Sequence, residues 1–223
     1  MKRITLLLLA FLSIGALQAQ KEEDQPQEMK TIFGSGDKIK HGGYLALTID
    51  YGQIDGKDAL LVGGRGGWII NHRLALGLGG KGIANSISYP SNSSSTYFDK
   101  YYLKGGYGGL LIEPMFFPMS AINISVPVII GAGGAAYTEK IDWDNNWGDN
   151  SNNNSIYSSP FFVLEPGIEV NLNLVKFMRI SFGGYYRYTA GLNLTEPNNP
   201  DTKSDTHLLD GFSGAIALKF GLF

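Results

Sequence analysis

The chain has 223 residues, with 30 Gly, 9 Pro, 12 Tyr, 12 Phe, 3 Trp and no Cys. So many aromatic side chains exclude a disordered chain, and without Cys there are no disulfides and no thiolate metal or redox sites. A formal charge of −2 gives no electrostatic footprint for nucleic acid.

Residues 1–20 read MKRITLLLLAFLSIGALQAQ. Lys2 and Arg3 precede an apolar run from Ile4 to Leu17, and small Ala19 marks a cut. This is the pattern of a secretory signal peptide over residues 1–19, read by the secretory translocon. The run is too short for a membrane-spanning helix, which needs ~20 apolar residues. No Cys follows the cut, so a lipoprotein anchor is excluded. Residues 20–41 are polar and aperiodic, the composition of a flexible tail.

From Gly42 onward the side chains alternate with period two, the mark of strands with two different faces. In Tyr44–Tyr51 one face carries Leu45, Leu47, Ile49 and Tyr51, the other Tyr44, Ala46, Thr48 and Asp50. Glycine-rich segments at about 58–70, 73–86 and 102–113 give three further strands with blurred alternation. Residues 121–131, 161–172 and 177–189 alternate again, with Ile122, Phe162 and Met178 opening their apolar faces. The last segment sets Phe212, Ile216, Leu218, Phe220 and Leu222 against Ser213, Ala215, Ala217, Lys219 and Gly221. Eight strands result. Pro127 and Pro166 fall inside two of them, where the missing N–H predicts a bulge or irregular pairing.

The connections, at about 52–57, 71–72, 87–101, 114–120, 138–159, 172–175 and 191–207, roughly alternate between short and long. The long ones are polar. Tight turns at one end and long loops at the other describe an eight-stranded antiparallel up-and-down transmembrane β-barrel over residues 42–223. An even strand number leaves both termini on the periplasmic side of an outer membrane, with the loops around 88–101, 138–159 and 191–207 facing outward. The choice of solvent rests on the two faces. One is nearly continuous Leu, Ile, Val, Phe and Tyr; the other mixes Gly, Ala and Ser with charges. A narrow eight-strand bore has room for small residues and paired charges but not for every bulky side chain. The apolar face therefore meets lipid, with aromatic belts at Trp68, Phe116, Phe117, Phe177 and Phe220 on one side. Tyr51, Tyr102, Tyr137, Phe162, Tyr188 and Phe212 form the other belt.

With its Ala19-Gln20 junction, the run from Gly108 to Pro118, the segment Ser125–Gly134 and the end Leu218-Lys-Phe-Gly-Leu-Phe223, the chain resembles small outer-membrane β-barrel proteins of the OmpA/OmpX-like size class. More narrowly it resembles uncharacterised barrels of Bacteroidetes-type, Gram-negative bacteria. The resemblance implies insertion by the outer-membrane assembly machinery, which reads a terminal aromatic such as Phe223, and contact with outer-membrane lipid and lipopolysaccharide. Phe223 lies out of phase with the alternation 216, 218, 220, 222. No ligand and no catalytic residue come with the resemblance.

The inward phase collects nine charges: Asp50, Arg65, Lys81, Glu113, Glu165, Glu169, Arg179, Arg187 and Lys219. Unpaired buried charge is costly, so they are expected to form an ion network filling the bore. Glu169 is expected near Arg179 in height, with Glu165 reaching Arg187 only through register and shear.

Other patterns are weaker. Gly77-Leu-Gly-Gly-Lys-Gly82 matches G-x-G-x-x-G with Asp99 further on, but no helix follows to receive a pyrophosphate, so no cofactor is expected. Asp142, Asp144 and Asn146 keep calcium-loop spacing, yet Trp147 and Asn153 replace the required Gly and Glu. Of His41, His72 and His207, only His207 has a Ser and an acid nearby, Ser204 and Asp205. The expected function is a non-enzymatic, surface-contacting membrane protein with a loop partner that the sequence does not name. A narrow pore or small-solute transporter, and a lipid A hydrolase or acyltransferase, are the alternatives.

Overall fold

A computed structural model describes residues 40–90, 100–138, 155–196 and 199–223. The signal peptide, nearly all of the tail, Asp99 and the Asp142/Asp144/Asn146 group lie outside the described residues. Among the latter there is no helix; all regular structure is strand.

The elements are β1 (His41–Ile54), β2 (Lys57–Ile70), β3 (Leu74–Ile83), β4 (Ile87–Pro90), β5 (Lys100–Phe116), β6 (Ile122–Ser125), β7 (Val128–Thr138), β8 (Ser155–Val175), β9 (Met178–Ala190), β10 (Thr195–Glu196), β11 (Asn199–Lys203) and β12 (Gly211–Leu222). Each main strand pairs antiparallel with its sequence neighbour, and β1 pairs with β12 from Gly43↔Leu222 to Gly52↔Ser213. That last ladder closes the ring. β3 with β4, and β6 with β7, each make one stave, so the barrel has eight staves. The small β10–β11 hairpin stands apart as its own sheet.

The eight-stranded up-and-down barrel is therefore as expected, with different edges. The strands run further toward the loop end: β1 and β2 meet at a two-residue turn, Asp55 (φ 52°) and Gly56 (φ 69°), in place of a loop over 52–57. Both central residues at positive φ make this a type I′ hairpin turn, whose twist matches that of the flanking strands. His41 already belongs to β1 and stacks against Trp68 with ring centroids 5.1 Å apart.

The prolines leave gaps without bulges. Val126 and Pro127 separate β6 from β7, yet the pairings Ser125↔Glu169 and Val128↔Pro166 keep one register across the gap. Gly167 N–H still donates to the Pro127 carbonyl at 2.8 Å. On the other side of Pro166, the β8–β9 ladder skips from Leu164↔Tyr188 to Gly167↔Tyr185, again in one register. A ring lacking an N–H costs a ladder bond but inserts no residue, so nothing shifts.

The alternating faces separate as the sequence reading has them. Leu45, Leu47, Ile49, Leu78, Leu110, Phe162, Ile168, Phe182 and Phe212 point outward and form an exposed apolar band around the barrel. Of the aromatics that the sequence assigns to the belts, Tyr137 departs: its position on β7 is inward and it is 3% exposed, edge-on to Tyr89 at 5.5 Å. Phe223, beyond β12, turns inward and stacks on Tyr44 at 6.0 Å.

Candidate functional site

All nine charges named from the sequence are buried in the lumen. They come from inward positions on β1, β2, β3, β5, β8, β9 and β12. In their lower layer, nearer the chain termini, Arg65 Nη2 meets Glu169 Oε1 at 2.6 Å, and Arg65 Nε lies 3.8 Å from Glu113 Oε2. Lys219 Nζ bridges the same two carboxylates, at 2.6 Å to Glu113 and 2.8 Å to Glu169. Two cations and two anions from four staves thus alternate around a closed circuit. In the upper layer Lys81 Nζ lies 2.5 Å from Asp50 Oδ2 and 3.0 Å from Glu165 Oε2.

Hydroxyls add to the coordination. Tyr44 donates to Glu113, Tyr185 donates to Glu169, and Arg65 Nη1 donates to the Tyr185 hydroxyl at 2.5 Å. Tyr107 donates to Glu165 at 2.6 Å, and Ser125 donates to Glu169 at 3.2 Å. A chain of amides and hydroxyls, Ser181 to Asn171 at 2.6 Å and Asn171 to Ser125 at 3.0 Å, supports that last contact. Lys81 Nζ sits 4.0 Å above the Tyr185 ring and joins the two layers. Glu113, Glu165 and Glu169 each have more than one donor, as buried anions require, whereas Asp50 has Lys81 alone and an unpartnered Oδ1. The tyrosines went unnamed as site residues in the sequence reading. Their signal was a phenol in the small-and-charged phase, where a bulky side chain needs both a partner and space. At Tyr185 the space is Gly167, where a Cβ would run into the phenol ring.

The two pairings expected within the β8–β9 hairpin do not form as such. Glu169 is held by Arg65 and Lys219 across the bore. Arg179 instead lies under the Phe223 ring, 3.7 Å from its centroid, with Nη1 3.9 Å from Met115 Sδ. Glu165 takes Lys81, while Arg187 Nε donates to the Leu209 carbonyl at 2.6 Å. In a narrow bore, long side chains reach opposite staves as easily as adjacent ones, so sequence neighbours have no privilege.

Apolar side chains fill the rest of the bore. Tyr44, Ile69, Leu111, Met115 and Ile129 belong to one cluster, against which Phe223 packs, and it interleaves with the charges: Ile129 lies beside Arg65, and on β5 Glu113 comes after Leu111. Toward the loops, inward side chains such as Ile54, Leu61, Leu103 and Phe161 pack with Leu192, Leu194, Leu208 and Leu209 from the connection after β9. A cavity of about 10 Å³ remains between this upper cluster and Arg187, room for about one water.

The remaining motifs stand as follows. Gly77–Gly82 lies within β3, extended between glycine-rich β2 and β5. His207 Nδ1 lies 3.0 Å from Asp210 Oδ2, while Ser204 Oγ lies 3.5 Å from the Tyr137 hydroxyl, so Ser204, Asp205 and His207 are not drawn together as a nucleophile, acid and base. His72 occupies the tight turn after β2 at φ 56°.

A closed eight-stave barrel with an apolar outer band and a polar interior is the architecture of small outer-membrane β-barrels. No family model matches the sequence, and no curated protein is found similar to it. Among solved structures, the chain aligns with Neisserial surface protein A at 12% identity and TM-score 0.49, over 84% of this chain and 100% of that one. It aligns with the N-terminal β-barrel domain of Pseudomonas aeruginosa OprF at 9% identity and TM-score 0.49, over 82% and 99% of the two chains. With Ail, the attachment invasion locus protein of Yersinia pestis, the values are 10% and 0.42, over 81% and 97%.

Proposed function

We propose that the protein is a non-enzymatic, non-conducting integral barrel of an outer membrane that acts through its loops, with the ion network of Arg65, Glu113, Glu169 and Lys219 serving stability. Tight turns and termini face the periplasm, and the long loops face outward toward lipopolysaccharide or a surface partner. The observation that carries this reading is the packing of the bore. Charges and apolar side chains fill it together, and the cavity beside Arg187 holds about 10 Å³. A bore filled by side chains supports a barrel that does not conduct. The exposed apolar band supports the membrane location, since a water-soluble barrel would expose it at a cost of ~25 cal/mol per Å².

Three measurements test the reading. Fractionation with unboiled and boiled gel samples is expected to place the protein in the outer membrane with a heat-dependent mobility shift. Recovery in the soluble periplasm without that shift overturns the membrane location. In planar bilayers no steady conductance steps are expected; reproducible steps would replace this reading with a pore. Lipid A mass spectra with and without the gene are expected to coincide, and a changed acylation pattern would make the protein an enzyme.

A further inference from the structure

The connection after β9 acts as a stopper. It carries Leu192 and Leu194 to 0% exposure inside the barrel mouth, together with Leu208 and Leu209. They pack against inward wall residues, among them Ile54, Leu61, Ile87, Leu103, Phe161 and Val163. Yet the described residues of this connection add no strand to the wall. Its regular pairing, β10 with β11, is internal, and Ser204 N–H donates to the Leu194 carbonyl at 2.8 Å within the same segment. Its described polar ties to the barrel are Asn193 N–H to Ser159 Oγ (2.8 Å), Ser204 with Tyr137 (3.5 Å), Arg187 Nε to the Leu209 carbonyl (2.6 Å), and Thr189 N–H and Oγ1 to Asp210 (2.6 and 2.7 Å). An apolar body held by side chains rather than by a ladder can be exchanged for another apolar body, whereas the bare wall cannot face water cheaply.

The floor of the mouth specifies the replacement. Glu165 there is already engaged by Lys81 at 3.0 Å and by the Tyr107 hydroxyl at 2.6 Å. Arg187 spends its Nε–H on a stopper carbonyl, across the small cavity, and loses that acceptor when the stopper leaves. The incoming body must therefore be an apolar chain with an oxygen acceptor leading, and a cation prefers an anionic one. Six residue steps along β5 from Tyr107 to Tyr101, at about 3.3 Å each and tilted by about 40°, give roughly 15 Å of depth, about the length of a twelve-carbon chain. We infer that the loop-end half of the lumen is a binding chamber for a long-chain carboxylate, entered head first, with Leu192, Leu194, Leu208 and Leu209 as its built-in competitor.

Laurate is the probe. Its binding to the full chain in lipid nanodiscs is measured against empty nanodiscs, with dodecanol as the uncharged comparison. Wild type is expected to bind laurate above the empty-disc background. The double variant Leu192→Ser/Leu194→Ser, which weakens the stopper, is expected to bind it roughly fivefold more tightly, because less of the protein is self-occupied. Arg187→Gln is expected to weaken laurate about tenfold while leaving dodecanol unchanged, as loss of a charge-assisted hydrogen bond predicts. Binding at background level, a stopper variant no tighter than wild type, or equal loss of laurate and dodecanol in Arg187→Gln would each overturn the inference. Should Arg187→Gln fail to show the heat-dependent shift of a folded barrel, the stopper comparison, made with Arg187 intact, decides alone.

Discussion

The Glu169 carboxylate meets Arg65, Lys219, Tyr185 and Ser125 at once, whereas Arg179, buried on the neighbouring stave, has an aromatic ring and a thioether beside it and an unpartnered Nε. The two should therefore respond oppositely to removal. Glu169→Ala leaves Glu113 alone to balance two buried cations, Arg65 and Lys219, and is expected to cost about 3–5 kcal/mol. Arg179→Met replaces a desolvated charge with an apolar chain of similar length and is expected to change stability by less than about 1 kcal/mol. Urea titration of the protein refolded into lipid vesicles reads both. Gly167→Ala belongs to the same circuit: a methyl there pushes the Tyr185 ring away from Glu169 and Arg65, for an expected loss of about 1–3 kcal/mol in the same titration. At this scale the sequence makes the interior membership of all nine charges legible, because phase along a strand is a local property. It leaves the partners illegible. Which stave faces which across the bore depends on tilt and shear, and those emerge only when β1 closes on β12.

The elements were legible where their two faces contrast as lipid against lumen, and lost definition above that band. Toward the loops the contrast inverts: Ile87, Tyr101, Leu103, Phe161 and Val163 are buried inside, while Ser158 is exposed outside and Lys104 is partly exposed. Apolar-in, polar-out is the pattern of a soluble sheet, so the same strand changes its outer chemistry midway, and a reading tuned to lipid-facing residues stops too early. That is why β5 and β8 begin well before their apolar stretches do, and why Ile87–Pro90 pairs with β5 where a loop was expected. The Asp55-Gly56 turn was readable in principle, since Asp-Gly between alternating segments is a hairpin signal. Gly56 stands at φ 69° with open space around it, so any penalty on substitution comes from backbone conformation alone. Gly56→Ala is expected to cost about 1 kcal/mol in the same lipid-vesicle titration, with the β1–β2 register unchanged. A null effect would mean that the turn relaxes without loss.

For the molecule as a whole, the surrounding solvent decides what the outer band is worth. Leu47 and Leu222 are almost equally exposed, at 70% and 74%, but they sit at different heights. Leu47 lies midway along β1, beside Leu218 and Gly64 on the flanking staves. Leu222 ends β12 opposite Gly43, which in turn pairs with Trp68 of the terminal-side aromatic belt. In water the two leucines are equivalent, and an arginine at either would be neutral or would improve solubility. In a bilayer they differ by depth: an arginine near the midplane costs about 2–4 kcal/mol, and one near the interface about 0–1 kcal/mol. Leu47→Arg is therefore expected to lower the folding free energy in lipid vesicles by at least about 2 kcal/mol more than Leu222→Arg does, as measured by reversible urea unfolding. Equal effects of the two substitutions would remove the lipid from the account. The exposed band would then have to be covered by protein, and the interior network would be the core of an assembly rather than of a single membrane-spanning barrel.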